Sequence, residues 1–292
     1  MGKDKNETEA MKNAAKFSGG TALKPPKFNF DFKALPAWLR EGEWKLSTYV
    51  TIAAVAFLLI ASFPSSVQLF EEEDGFSNWQ SQGNKSNEVM WRRGLEGVGI
   101  VWTVGVIVWL VAAIGWWPFV SYTVISWALL TFRFISISLG MYRFASIIRF
   151  PSMVMNLVTV CVWWLILVPA FLSFMNEKAR QGFLRFNTNG LLINLHFVNL
   201  LLSLLDVYLH PRQLNAFDLW MAFAFGIAYV VFYLLVLDAR GLYFYIIMCP
   251  RSILFVPSVA LVSAIYFSSF IALNLYSTWC IHQLPQPPVL KT

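Results

Sequence analysis

The sequence predicts an all-α fold, a polytopic transmembrane helical bundle of six to seven spans, and three observations carry that prediction. The 292 residues are 58% hydrophobic and only 13% charged, about half the charge of an ordinary soluble domain. Several apolar runs approach the length that crosses a bilayer as a helix, and none alternates as a membrane β-barrel strand would. The stretch from Asn189 to Arg212 is also apolar, yet it carries His196, Asn199, Ser203, Asp206 and His210. At about 100° per residue these five fall within roughly 80° of one another on a helix. An ionisable group in hydrocarbon costs several kcal/mol unless it faces protein or a wet cavity. The stripe is therefore expected to face the interior, with the other spans arranged around it.

Taken in order, residues 1–45 read as a basic, flexible tail with Pro25-Pro26 and an interfacial candidate at FNFDFKALPAWL. Its polarity leaves no apolar core for a cleavable signal peptide. The transmembrane domain is expected over residues 46–280. Its first span, 46–66, is expected to kink at Pro64. A polar loop follows to Gly97, with the acidic run Glu71-Glu72-Glu73-Asp74 and the glycosylation sequon Asn84-Lys85-Ser86. The second span is 98–116, closed by Pro118, and the third, 121–142, carries Arg133 near its middle. The fourth, 153–174, contains Trp163-Trp164 and Pro169, and the fifth, 190–210, is the striped one. The sixth and seventh are 217–237 and 253–276. Between them Gly241 to Cys249 is apolar but too short to span, which predicts a re-entrant or interfacial segment. Residues 281–292 form a C-terminal tail.

Lysine and arginine counts orient this arrangement. With seven spans and the N-terminus inside, the inner side receives 14 basic residues and the outer side 7, which favours a cytoplasmic N-terminus and an outer or lumenal C-terminus. Asn84 then lies on the glycosylated side of an endomembrane or plasma membrane. The net charge of +6 lies mainly in the tail and short loops, a distribution suited to topology and anionic lipid rather than nucleic acid. Membrane lipids are the expected partners, and the basic tail and acidic first loop offer surfaces to other proteins.

Few residues in the spans suit chemistry. Three histidines are too few for a two-haem cytochrome, and the cysteines and histidines show no metal-ligand spacing, so neither metal nor cofactor is expected. Cys161, Cys249 and Cys280 imply no disulfide framework. His196 has two readings: a hydrogen-bonded tie between helices, or a general base. Asp206 lies roughly 15 Å further along the same helix at about 1.5 Å per residue, so it cannot orient His196. Arg133 is its candidate partner. A hydroxyl nucleophile would have to lie near the helix starts that share a depth with His196, and Thr48 and Thr123 both satisfy this.

The pattern His196-x-x-Asn199, then Asp206, then His210-Pro211, followed by FAFGIAYVVFYLL and the Gly241 to Tyr245 stretch, resembles the androgen-inducible and rolling-stone group of multi-pass membrane proteins. The likeness covers roughly residues 120–250. The androgen-inducible branch hydrolyses fatty acid esters of hydroxy fatty acids with a threonine and a histidine inside the membrane; the rolling-stone branch is linked to myoblast fusion. His196 matches the family histidine. Span order points to Thr123 as the family threonine, whereas the local Trp44-Lys45-x-x-Thr48 resembles the hydrolase motif, so Thr48 is the substitute. Where the hydrolase branch carries a second histidine, this chain has Ile193. The resemblance implies an intramembrane threonine hydrolase of lipid esters, with Asn199 or a backbone N–H on the oxyanion. The alternative is a non-enzymatic scaffold, complex subunit or fusion and adhesion factor whose stripe only locks helices. A transporter or receptor ranks third, since the last span holds no lysine for a retinal Schiff base and the chain shows no pair of similar halves.

Overall fold

A computed structural model describes residues 42–64, 86–242 and 245–283. Every regular element among the described residues is a helix, and none is a strand. Among the described residues five helical segments are long and apolar enough to cross a membrane: Arg93–Ile114, Tyr142–Ser173, Gly190–Leu209, Ala216–Arg240 and Phe255–Ile281. Two shorter apolar helices, Leu46–Ala61 and Tyr122–Ser138, accompany them. The chain is thus a multi-pass helical membrane protein. Its large exposed side chains, among them Phe57, Val101, Leu165, Leu235 and Leu275, would be a liability in water but are ordinary against lipid.

Helix α1 (Leu46–Ala61) stops short of Pro64. Its 16 residues rise roughly 24 Å at about 1.5 Å each, less than the bilayer core of about 30 Å, so the span expected to kink at Pro64 is corrected to a helix that ends before that proline. Its start is clamped to the chain before the last helix, because the Lys45 N–H and the Thr48 hydroxyl both donate to the Pro250 carbonyl, at 3.1 and 2.7 Å. Helix α2 (Ser86–Ile114) begins well before residue 98; part of the expected polar loop is helix, and it carries Glu96 into the bundle. The acidic run and Asn84, like the tail segment, lie outside the described residues.

Helix α3 (Tyr122–Ser138) opens on the Ser121 side chain, which accepts the Val124 N–H. It ends at Gly140, whose φ of +72° only glycine adopts freely. There the Met141 N–H bonds Ser136 O and the Gly140 N–H bonds Ile137 O, the paired bonds of a Schellman cap. Helix α4 follows at once as Tyr142–Cys161, a π segment Val162–Leu167 and Val168–Phe174. This corrects the expected start at 153. Arg143, Arg149 and Pro151, taken for a connection, are inside the helix, where tertiary packing overrides the missing proline N–H.

Helix α5 (Glu177–Asn187) replaces an expected loop; Asn176 caps it and Glu177 and Arg185 match its dipole. Helix α6 runs Gly190–Ile193, π segment Asn194–Val198 and Asn199–Leu209, close to the expected fifth span. Helix α7 (Ala216–Phe232, then π segment Tyr233–Leu237) starts with a reciprocal Asn215–Asp218 capping box. It ends through a short 3-10 turn on Gly241, whose φ is +74°. A second 3-10 turn, Ile246–Met248, and the long helix α8 (Phe255–Gln283) complete the described chain.

The hub is not the striped helix. Helix α4 packs against α3, α6, α7 and α8, and its Phe150, Val154, Val158 and Val162 centre the main core cluster with Val207, Ala222 and Tyr266. A helix that packs on several neighbours and shows lipid an equally apolar face gives no polar stripe, which is why the sequence points to α6 instead.

Candidate functional site

Two π segments meet where His196 sits. Within them the Trp163 ring stacks on the His196 ring, centroids 4.2 Å apart, and Trp164 Nε1 donates to the His196 carbonyl at 2.8 Å. Trp163 is itself held by Asn187 Oδ1 of α5, 2.9 Å from its Nε1. Such helix irregularities re-aim side chains and concentrate at functional sites. His196 Nδ1 lies 3.1 Å from the Leu192 carbonyl. A carbonyl only accepts, so Nδ1 carries the hydrogen, and in the neutral ring Nε2 then presents a lone pair. Among the described residues Nε2 has no hydrogen-bond partner.

Trp163 also lines a cavity of about 1080 Å³, its open mouth included, enclosed by α1, α3, α4, α7, α8 and the segment before α8. The walls are mainly aliphatic and aromatic, with hydroxyls from Thr51, Thr123, Thr159, Tyr122, Tyr245 and Tyr266. Tyr122 and Tyr266 bond to each other, Oη to Oη, at 2.9 Å. One hydroxyl hydrogen serves that bond, and the second has no acceptor among the described residues. Tyr245 Oη accepts the Tyr122 N–H at 3.0 Å, with the Thr123 side chain beside it. Burial pushes the Tyr245 phenol above its ordinary range, so it stays protonated. Gly226 makes room for this group: a Cβ there would lie 2.9 Å from Tyr266 Oη. An apolar chamber with a few convergent hydroxyls suits a hydrophobic molecule carrying one oxygen function.

The stripe residues are all buried. Asn199 Nδ2 donates to Asn156 Oδ1 at 3.1 Å and to Leu195 O at 2.8 Å, and its Oδ1 accepts the Leu200 N–H. Both amide hydrogens are therefore committed, which corrects the expectation that Asn199 could donate to an oxyanion. Ser203 accepts from Asn156 and donates to Asn199 O. Asp206 pairs with Arg133 Nε at 2.5 Å, the partnership its sequence position suggested, and Arg133 also donates to the Ala145 carbonyl. His210 is not an isolated interfacial residue: its two ring nitrogens face Asp206 Oδ1 at 3.2 Å and Glu96 Oε1 at 3.0 Å. Burial opposes its charge, but hydrogen bonds to these two carboxylates outweigh it and raise its pKa.

Thr123 lines the cavity and Thr48 does not. Neither is hydrogen-bonded to His196; Thr48 is buried with its hydroxyl on Pro250, while the Trp163 ring connects His196 to the chamber onto which Thr123 opens. The sequence does not single out Tyr122, Tyr266, Glu96 or Arg149, and Tyr245 enters there only through the resemblance. Their only signal was a run of tyrosines on separate elements, which no single-helix periodicity brings together.

Fold and site together define a multi-pass helical membrane protein with an apolar chamber, and a histidine stacked on Trp163 of the chamber wall. No family model, curated protein or solved structure matches the chain.

Proposed function

We propose that this chain is a seven-span intramembrane hydrolase of lipid esters, related to the androgen-inducible and rolling-stone group. Its N-terminus is cytoplasmic and its C-terminus outer or lumenal. The observation that supports this most is His196, with Nδ1 pinned by the Leu192 carbonyl and Nε2 unpartnered beside the chamber. Such a ring is an oriented base. The ester enters the apolar chamber from lipid, and Trp163 swings to open Nε2 to it. Thr123 Oγ1 attacks the ester carbonyl carbon while its proton passes to Nε2. The tetrahedral oxyanion accepts the unused hydrogen of the Tyr122–Tyr266 pair. The proton returns from His196 to the departing alkoxide, leaving an acyl-threonine, and water activated by His196 releases the acid by the same steps reversed.

Fluorophosphonate labelling of membranes tests the dyad. Wild type is expected to label, His196→Ala and Thr123→Ala to lose the label, and Thr48→Ala to keep it; the opposite threonine result transfers the role to Thr48. If Tyr266 serves the oxyanion, Tyr266→Phe lowers turnover of a long-chain ester about 10²–10³-fold, the usual cost of one such donor. Gly226→Ala, which displaces the same hydroxyl, should lower it in the same direction.

A second reading is favoured by the Asn156–Asn199–Ser203 network, in which Asn156 donates to Ser203 and Asn199 donates to Asn156, two bonds that tie α4 to α6. In that reading the chain is a scaffold or complex subunit, with the stripe as helix glue at about 0.6 kcal/mol per bond. A correctly inserted wild type that never labels supports it.

A further inference from the structure

At the end of the bundle opposite the chamber, seven ionisable side chains gather: Glu96 of α2, Arg133 of α3, Arg149 of α4, Asp206 of α6, Asp218 of α7, and His210 and Arg212 of the connection between α6 and α7. Each carboxylate there is already engaged. Asp206 holds Arg133 and His210; Glu96 holds His210; Asp218 takes two Arg212 nitrogens at 2.5 and 2.7 Å while capping α7. Arg149 is left over. It is 2% exposed, and its Nε and Nη2 are buried with no hydrogen-bond partner among the described residues. Arg212 and Arg133 repel it and Asp206 and Asp218 attract it through space, but both carboxylates are bonded to those other cations.

A buried guanidinium with two unanswered donors is costly unless something anionic meets it. The fork of Nε and Nη2 matches two oxygens of one phosphate or carboxylate group. The place also selects the occupant. The α2 and α4 starts, the α6 end and the α7 start come together here, the level at which alternating spans meet lipid headgroups.

We propose that Arg149 is the anchor of a phosphate-binding site, a site for the phosphodiester of an acidic phospholipid that completes the charge cluster at this end of the bundle. The site is independent of the chamber and of any hydrolysis.

The test uses the full chain purified in a neutral detergent, with thermal unfolding followed as phosphatidylglycerol, phosphatidylcholine or inorganic phosphate is added. Wild type is expected to gain melting temperature with phosphatidylglycerol, and Arg149→Met to lose that response. Arg149→Lys keeps the charge but not the fork, so its half-saturating concentration should rise about tenfold, the loss of one charge-assisted hydrogen bond. An equal response to inorganic phosphate identifies the free ion as the source, and a response confined to phosphatidylglycerol identifies the lipid; both support a phosphate site. The proposal is overturned if Arg149→Met melts higher than wild type and neither responds to any phosphate, since the guanidinium is then an unanswered charge. It is also overturned if all three proteins respond alike.

Discussion

Asp206→Ala is expected to destabilise the protein by about 3–5 kcal/mol, the cost of breaking a buried ion pair from one side. The side chain is almost wholly buried against Arg133, itself 3% exposed, and it also faces His210. Removing it strands the Arg133 guanidinium beside Arg149, so two cations then lie in the bundle without a carboxylate. Asp206→Asn keeps the volume and one acceptor but not the charge, and should recover only a minor part of the loss. The informative variant is Arg133→Met with Asp206→Leu, which removes both charges together. Replacing a buried pair by apolar residues is often neutral, so this double variant should melt far closer to wild type than Asp206→Ala does. Thermal unfolding in detergent, followed by tryptophan emission, measures all three. A single-variant loss under about 1 kcal/mol would mean that water or lipid headgroups reach Arg133 and the pair is not sealed.

Much of this cluster is legible in the sequence. Asp206 and Arg133 are each intolerable alone in hydrocarbon, and each needed the other. The helical period placed His196, Asn199, Ser203, Asp206 and His210 on one face, and all five are buried. Glu96 was not legible, because its segment reads as a polar loop until His210 is seen to need a second carboxylate. Arg149 was assigned to a connection for a similar reason: Pro151 and nearby charges argue against helix locally, and only packing among four neighbours keeps α4 continuous. The hub is not marked in the sequence because its lipid-facing side chains, such as Phe144 and Leu165, are as apolar as its buried ones, so the buried face does not stand out. The chamber was least legible. It takes side chains from six parts of the chain, and its hydroxyl pair joins residues 144 positions apart. Local pattern can place a residue on a helix face, but it cannot say which faces of different helices converge.

That distinction sets the terms for the largest expected effect on activity, at His196. His196→Asn is expected to leave folding within about 1 kcal/mol of wild type. The asparagine amide can still donate to a backbone carbonyl one turn back, as the imidazole Nδ1 does to Leu192, and the stacking face toward Trp163 is the main thing lost. It has no basic nitrogen to take the place of Nε2. If His196 is a base, ester turnover falls by about 10²–10⁴-fold, the usual contribution of a positioned general base, and fluorophosphonate labelling disappears with it. If His196 is only structural, Asn keeps its bond to the Leu192 carbonyl of the same helix and gives up only the Trp163 stack, and every readout stays near wild type. Alanine cannot make this separation, because it removes the base and the hydrogen bond together. A folded His196→Asn protein with undiminished turnover would rule out the dyad. One that is folded, inserted and inactive would assign the lone pair, rather than the packing of the ring, as what the chamber uses.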